Sequence, residues 1–316
     1  MTKSKYLVLG ATGGIGYAFA RTLLDHEIPL TVLVRDRTKA TGLLKGNPLA
    51  EIVTGDAQDA GLLMSLAKDK SFIFHGINYP YDKWPDNMPR VTRYVIDAAA
   101  QNKATVIFPG NIYEFGNVKD ITEKTTPEPQ TKKGKIRYEL FRMLQSAAGE
   151  DKIRVVMMRL PDFFGPNVVN GLTERIFGNA LKKNPVNWLI RSDLPHQFAF
   201  TPDAAALMLE ICRKEDRPAF TLYNYVSYTV PSFNRFAEVI AKQTGAPAKV
   251  QNLPKFVMVV MGWFMPVMRE LKENFYLFEN NVNLVDDRVR KDFPAFSHTP
   301  LEEAVKQTLD WFRENV

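Results

Sequence analysis

Scarcity excludes several function classes at the outset. A single cysteine, Cys212, in 316 residues rules out an internal disulfide, and the four histidines, His26, His75, His196 and His298, show no metal-ligand spacing. Neither a disulfide-built fold nor a metal centre is expected. Lys and Arg outnumber Asp and Glu by 41 to 35, yet the charges are spread along the chain and no long block of one sign occurs. A surplus of +6 distributed in this way suits a phosphate-bearing small molecule. Without a nucleic-acid-binding motif, no nucleic-acid partner is expected. Long apolar runs are also missing. The longest, FVMVVMGWFMPVM at 256–268, is broken by Gly262 and Pro266 and is too short for a comfortable bilayer span. It is expected to form a buried or pocket-lining helix, with a partner-binding or membrane-touching helix as the other reading. No cationic leader with an apolar stretch and cleavage site precedes the first strand-like run. The expectation is a cytoplasmic protein with a small-molecule substrate and no membrane partner; a homodimer is compatible with the sequence.

What is present is ordinary for a globular chain, with 45% hydrophobic and 24% charged residues. The runs KYLVLG, PLTVLVR, AEIVTGD, SFIFHG, ATVIFPG and KIRVVMMRL read as strands buried on both faces. Helical patterns such as IGYAFARTLLDH (15–26) and 88–101 lie between them. Strand and helix in alternation predict an α/β protein with a doubly wound parallel sheet. After about Pro166 longer helices dominate, so residues 1–166 are expected as a Rossmann-type domain. Residues 167–316 are expected as a smaller, mostly helical, partly interleaved substrate-binding region. The stretch ITEKTTPEPQT (121–131) is a loop by composition, either a lid or a plain connection.

GATGGIG (10–16) follows the first strand and opens a helix, placing Gly10, Gly13 and Gly16 three residues apart. The first allows a tight turn, the second a close approach to a diphosphate, and the third close helix–strand packing. This context predicts dinucleotide binding. The second strand ends in Arg35, followed by Asp36 and Arg37. A guanidinium there can grip a 2′-phosphate, so NADP is favoured over NAD, with Asp36 as the counter-indication. Asp56, ending the third strand, is placed either to accept from an adenine amino group or to cap the next helix. His75 reads as structural. Trp84, Trp188 and Trp263 read as packing or pocket residues.

With these residues in view, the chain resembles the extended and atypical short-chain dehydrogenases/reductases, the NAD(P)-dependent epimerase/dehydratase group. The GATGGIG loop, the GD after strand three, FIFHG, VIFPGNIYEFG, RLPDFFGP and HQFAFTPDAAALML occur in that family's order. The resemblance implies a cofactor site formed by Gly10, Thr12, Gly13, Gly14, Ile15, Gly16, Arg35, Arg37, Asp56, Ala57, Gly76, Pro109, Lys133 and Arg137. It also implies a Ser or Thr after strand five and a Tyr-x-x-x-Lys on the next helix. Here Asn111 stands in the first position, and Lys133 and Arg137 in the other two. Tyr79–Lys83 also spells Tyr-x-x-x-Lys, but in a proline-bearing loop, and is read as chance.

KGKIR, LVR and FPGNIYEFG are similar to segments of the isoflavone-reductase-like NADPH reductases, whose lysine is taken to transfer the proton. That similarity implies Lys133 as general acid. Arg137, which cannot usefully deprotonate, is expected on the cofactor, and Asn111, with a carbonyl and an amide, is expected to orient a substrate oxygen. Tyr113 is either a supplementary phenol or loop packing. The function expected is hydride transfer on a carbonyl or hydroxyl compound. The alternative is a catalytically inactive NADP-sensing regulator.

Overall fold

The computed structural model describes residues 5–264 and 272–316. The end of the 256–268 run, Pro266 included, lies outside them. Strands β1 (Tyr6–Leu9), β2 (Leu30–Val34), β3 (Ala50–Thr54), β4 (Phe72–His75) and β5 (Thr105–Gly110) are followed by β6 (Asp120–Ile121) and β7 (Arg154–Arg159). Further on come β8 (Asp162–Phe164), β9 (Val186–Leu189), β10 (His196–Phe200), β11 (Phe220–Asn224), β12 (Tyr228–Val230), β13 (Val250–Leu253) and β14 (Asn283–Leu284). All six strands expected from sequence are present in one seven-stranded sheet, ordered β11-β7-β5-β4-β1-β2-β3. The pairings from β7 to β3 are parallel. Val, Ile, Leu and Phe fill these strands because helices cover both faces, and Leu7, Val8 and Leu9 are fully buried. The seventh strand, β11, was not legible as a strand from sequence.

The helices between the first strands are α1 (Gly14–Asp25), α2 (Arg37–Leu43), α3 (Ala60–Ala67), α4 (Trp84–Ala100) and α5 (Lys132–Gly149). Strand order reverses between β1 and β4, and at such a switch point the following loops diverge and leave a crevice. The turn after β1 and the residue after β4 are therefore the neighbours that matter here.

The chain divides into two compact units. The first comprises 1–111, 136–159 and 204–223; the second comprises 112–135, 160–203 and 224–316. The sheet belongs to the first. The second packs around aromatic rings, with Trp188 stacked on Phe233 at 3.8 Å and Phe198 on Phe236 at 4.6 Å. Its small sheets pair β12-β10-β8, β13-β9 and β14-β6. The β6–β14 pair bears on the lid reading of 121–131. Ile121 is fully buried, its carbonyl accepts from Asn224 Nδ2 at 3.0 Å, and Glu123 accepts from the Asn224 backbone N–H at 3.0 Å. The start of that stretch is therefore anchored within its unit.

The apolar run requires a correction. Its described part, Lys255–Phe264, is a helix that buries Met258 but leaves Phe256 71% and Trp263 77% exposed, with Val260 exposed between them. It is not a buried helix, and Trp263 is not a packing residue. Every position in the run is apolar apart from its glycine, so sequence periodicity carried no information about which side would be covered. Trp84 and Trp188, in contrast, are buried packing residues. Among the described residues no helix is long and apolar enough to cross a membrane.

Candidate functional site

In the first unit the glycine turn has the geometry that its spacing predicts. Gly10 takes φ +83°, a region open to glycine, and a Cβ there would lie 2.5 Å from the Gly76 carbonyl oxygen. A Cβ on Gly16 would lie 2.2 Å from the carbonyl oxygen of Gly10. Strand β1, helix α1 and the end of β4 thus meet backbone to backbone. Gly13 differs, since its nearest neighbour to an added Cβ is 3.5 Å away, and it caps α1 without any side-chain hydrogen bond. The first-turn amides of a twelve-residue helix are left bare at that end, which fits the diphosphate of a dinucleotide. Gly16→Ala is expected to destabilise the protein by about 1–3 kcal/mol, because the obstructing atom is a backbone carbonyl that cannot rotate away. An unchanged thermal midpoint would contradict this packing.

The ends of β2 and β3 lie side by side, with Gly55 N–H donating to the Val34 carbonyl at 2.9 Å. Arg35 is exposed. Asp36, the sequence's counter-indication, is engaged elsewhere: its carboxylate caps α2 by accepting from Lys39 N–H at 2.9 Å. Arg37 donates to the Ile52 carbonyl at 2.6 Å, which fixes it on β3. Asp56 does not cap α3. That cap is Asp59, accepting from Leu62 N–H at 3.0 Å, while Asp56 accepts from Gln58 N–H at 2.9 Å and tightens the turn.

Sequence reading missed three neighbours of this region. Arg90 donates to Gln58 Oε1 at 2.5 Å. Tyr79 is half-buried, which raises its phenol above the usual value; its bond with Gln58 and the charges of Arg35 and Arg90 pull the other way, and Asp56 adds to the rise. No local spacing links these residues, because strand order alone brings them together. Tyr79 and Lys83 share no helix, since Lys83 closes a single turn at Tyr81–Lys83, so that Tyr-x-x-x-Lys string is indeed accidental.

Below the crevice His75 is fully buried. Its Nε2 pairs with Thr92 Oγ1 at 3.0 Å, and its ring lies 5.3 Å from that of Phe108. Burial pushes the imidazole down to about 3, and the nearby Arg137 cation adds to the effect. It is a neutral structural group. Arg137 lies over the ring of Trp84 at 4.8 Å and near that of Phe108 at 5.8 Å, where its cation faces aromatic π-density. Pro109 and Asn111, at the end of β5, are half-buried.

In the second unit the key residue is Lys133. Its side chain is 3% exposed and its Nζ lies 3.8 Å from Glu273 Oε2. The same carboxylate oxygen accepts from the Lys133 backbone N–H at 3.3 Å. Lys133 stands in the first turn of α5, where amides lack intrahelical partners, so Glu273 holds both the helix terminus and the ammonium. In the sequence the charged neighbours of Lys133 are the cations Lys132, Lys135 and Arg137; a carboxylate 140 residues downstream is invisible at that range. Tyr113 is half-buried in the turn Tyr113–Phe115, and its carbonyl would lie 2.5 Å from a Cβ on Gly134, so this turn packs directly on the start of α5. Among the described residues no group of histidine, cysteine and carboxylate side chains could hold a metal.

Comparison with known proteins bears on the family and the fold. The sequence model described as the NmrA-like family matches residues 2–305. No curated protein sequence matches the chain. The fold is similar to that of a UDP-glucuronic acid 4-epimerase from Bacillus cereus solved with UDP-glucuronic acid and NAD, at TM-score 0.79 and 15% identity over 98% of this chain and 99% of that one. It is also similar to a UDP-glucose 4-epimerase from Thermotoga maritima solved with UDP-glucose, at TM-score 0.76 and 16% identity over 98% of each chain. A dTDP-glucose 4,6-dehydratase from Bacillus anthracis solved with NAD gives TM-score 0.79 and 14% identity over 99% of this chain and 97% of that one. Family model and fold together bear out the resemblance to the extended short-chain dehydrogenases/reductases.

Proposed function

Because the chain belongs to the NmrA-like family over residues 2–305, we propose that it is a nicotinamide-dinucleotide oxidoreductase acting on a small carbonyl or hydroxyl compound. The observation that carries this reading is the bare amide end of α1 between two glycines with no room for a side chain. Gly10, Thr12, Gly13, Gly14, Ile15 and Gly16 would hold the diphosphate, with Asp56, Ala57, Gly76 and Pro109 along the rest of the dinucleotide. When bound, that group supplies or accepts the hydride. As carbonyl carbon gains the hydride, its oxygen gains negative charge, and Lys133 gives that oxygen a proton from Nζ. Asn111 can donate from its amide to hold the oxygen without transferring a proton, and the Tyr113 phenol can serve as a second donor. Arg137 keeps its charge throughout and orients rather than reacts.

The local chemistry of the β2 end supports NADP as the cofactor. Arg35 is exposed, and the acid beside it is occupied as a helix cap. Similar solved structures that hold NAD leave NAD a full alternative, and titration of both nucleotides decides between them. Arg35→Asp should weaken NADPH binding by roughly 10–100-fold and leave NADH nearly unaffected. Unchanged NADPH affinity in calorimetry would remove the 2′-phosphate assignment. No heat with any pyridine nucleotide would remove the oxidoreductase reading altogether. Tight binding without turnover across a panel of carbonyl, enol-ether and nucleotide-sugar compounds would identify a cofactor-sensing protein instead.

A further inference from the structure

We propose that Glu273 is the positioning residue for Lys133 and the route by which its proton is replaced, an inference that rests on the oxidoreductase reading above. The ammonium of Lys133 is nearly sealed from solvent, whereas the Glu273 side chain is 26% exposed and reaches it at 3.8 Å. A buried ammonium that has given up a proton cannot recover one directly from bulk water. The carboxylate beside it can, because it touches water on one side and the amine on the other.

The cycle balances. The Nζ–H bond breaks as the substrate O–H bond forms, leaving a neutral amine. Glu273 Oε2 takes a proton from a solvent hydronium, which is left as water, then passes it to Nζ and returns to carboxylate. The distance of 3.8 Å is that of an ion pair rather than a hydrogen bond, so the transfer needs a small closure or one bridging water.

The hydrogen bond from the Lys133 backbone N–H fixes the carboxylate in place. One oxygen therefore ties the position of the acid to the start of its helix. Lys132 and Lys135 are exposed cations of the same helix, and the turn Tyr113–Phe115, which holds the buried Glu114, packs against Gly134.

Two variants of the full-length protein separate charge from capping. Glu273→Gln keeps a carbonyl acceptor for the backbone amide but removes the charge and the relay; Glu273→Ala removes all three. Nuclear magnetic resonance of 15N-lysine-labelled protein, with the Lys133 signal assigned by Lys133→Arg, follows exchange of the Nζ hydrogens with water without any turnover. Glu273→Gln should slow that exchange by roughly tenfold or more, because the placed carboxylate that passes the proton is gone. Its first turnover should be kept while later turnovers slow by a similar factor, and its thermal midpoint should stay nearer to wild type than that of Glu273→Ala. An unchanged exchange rate in Glu273→Gln would overturn the proposal, whatever happens to turnover, and leave Glu273 as a helix cap. A wild-type protein that binds no nucleotide would end the oxidoreductase reading on its own, while the exchange rate would still test the pair.

Discussion

Lys133→Ala should lower turnover by about 10²–10⁴-fold, the usual contribution of a placed general acid. Dinucleotide affinity should fall far less, because the diphosphate would be carried by backbone of the glycine turn. The loss should appear in kcat and kcat/KM together, since a proton given to a developing oxyanion is an interaction of the transition state. Truncation also strips Glu273 of its ion-pair partner. Being partly exposed, that carboxylate can hydrate, so the fold should survive. Steady-state kinetics and nucleotide calorimetry on the same preparation provide the check. Full turnover in a folded Lys133→Ala protein would remove this residue as the acid.

The second large effect is acid sensitivity set by His75. In the folded chain its imidazole resists protonation down to about 3, whereas in the unfolded chain it titrates near 6.5. Between those values the unfolded state binds the extra proton, so stability falls as pH falls, by about 1.4 kcal/mol per pH unit. Above the unfolded value the contribution to stability is fully present. From pH 6 to pH 4, wild type should lose about 2.5 kcal/mol more than His75→Gln, which has nothing to titrate. Urea unfolding at the two pH values measures the difference, and carboxylate effects common to both proteins cancel. Equal losses would show that His75 gains protons in the folded state as readily as in the unfolded one.

These two residues show where sequence reading succeeds and where it stops. Both were marked in advance, Lys133 by its place in a family pattern and His75 by its position closing a strand. The meaning of each came from partners that no spacing could reveal. Glu273 is 140 residues beyond Lys133, and Thr92 and Arg137 reach His75 from two different helices. Asp36 and Asp56 show the same division at shorter range. Asp36 was read as the counter-indication to NADP and Asp56 as an adenine contact or a helix cap; each side chain accepts from a backbone amide two or three residues on, a local use that loop geometry decides.

By itself the sequence determined the alternation of buried strands and helices, and with it the parallel sheet. Six apolar runs separated by helical patterns have few other ways to satisfy their backbone and bury their side chains. It also determined the glycine turn where the constraint is local, since the carbonyl that excludes a Cβ at Gly16 belongs to Gly10, whereas the Gly76 carbonyl that closes on Gly10 is brought there by strand order. Tertiary structure decided which polar groups meet, which side of the apolar run in the Lys255–Phe264 helix stays uncovered, and how Lys133 is held. Those outcomes depend on contacts between segments far apart in the chain, and hydrophobic periodicity, a local quantity, carries nothing about them.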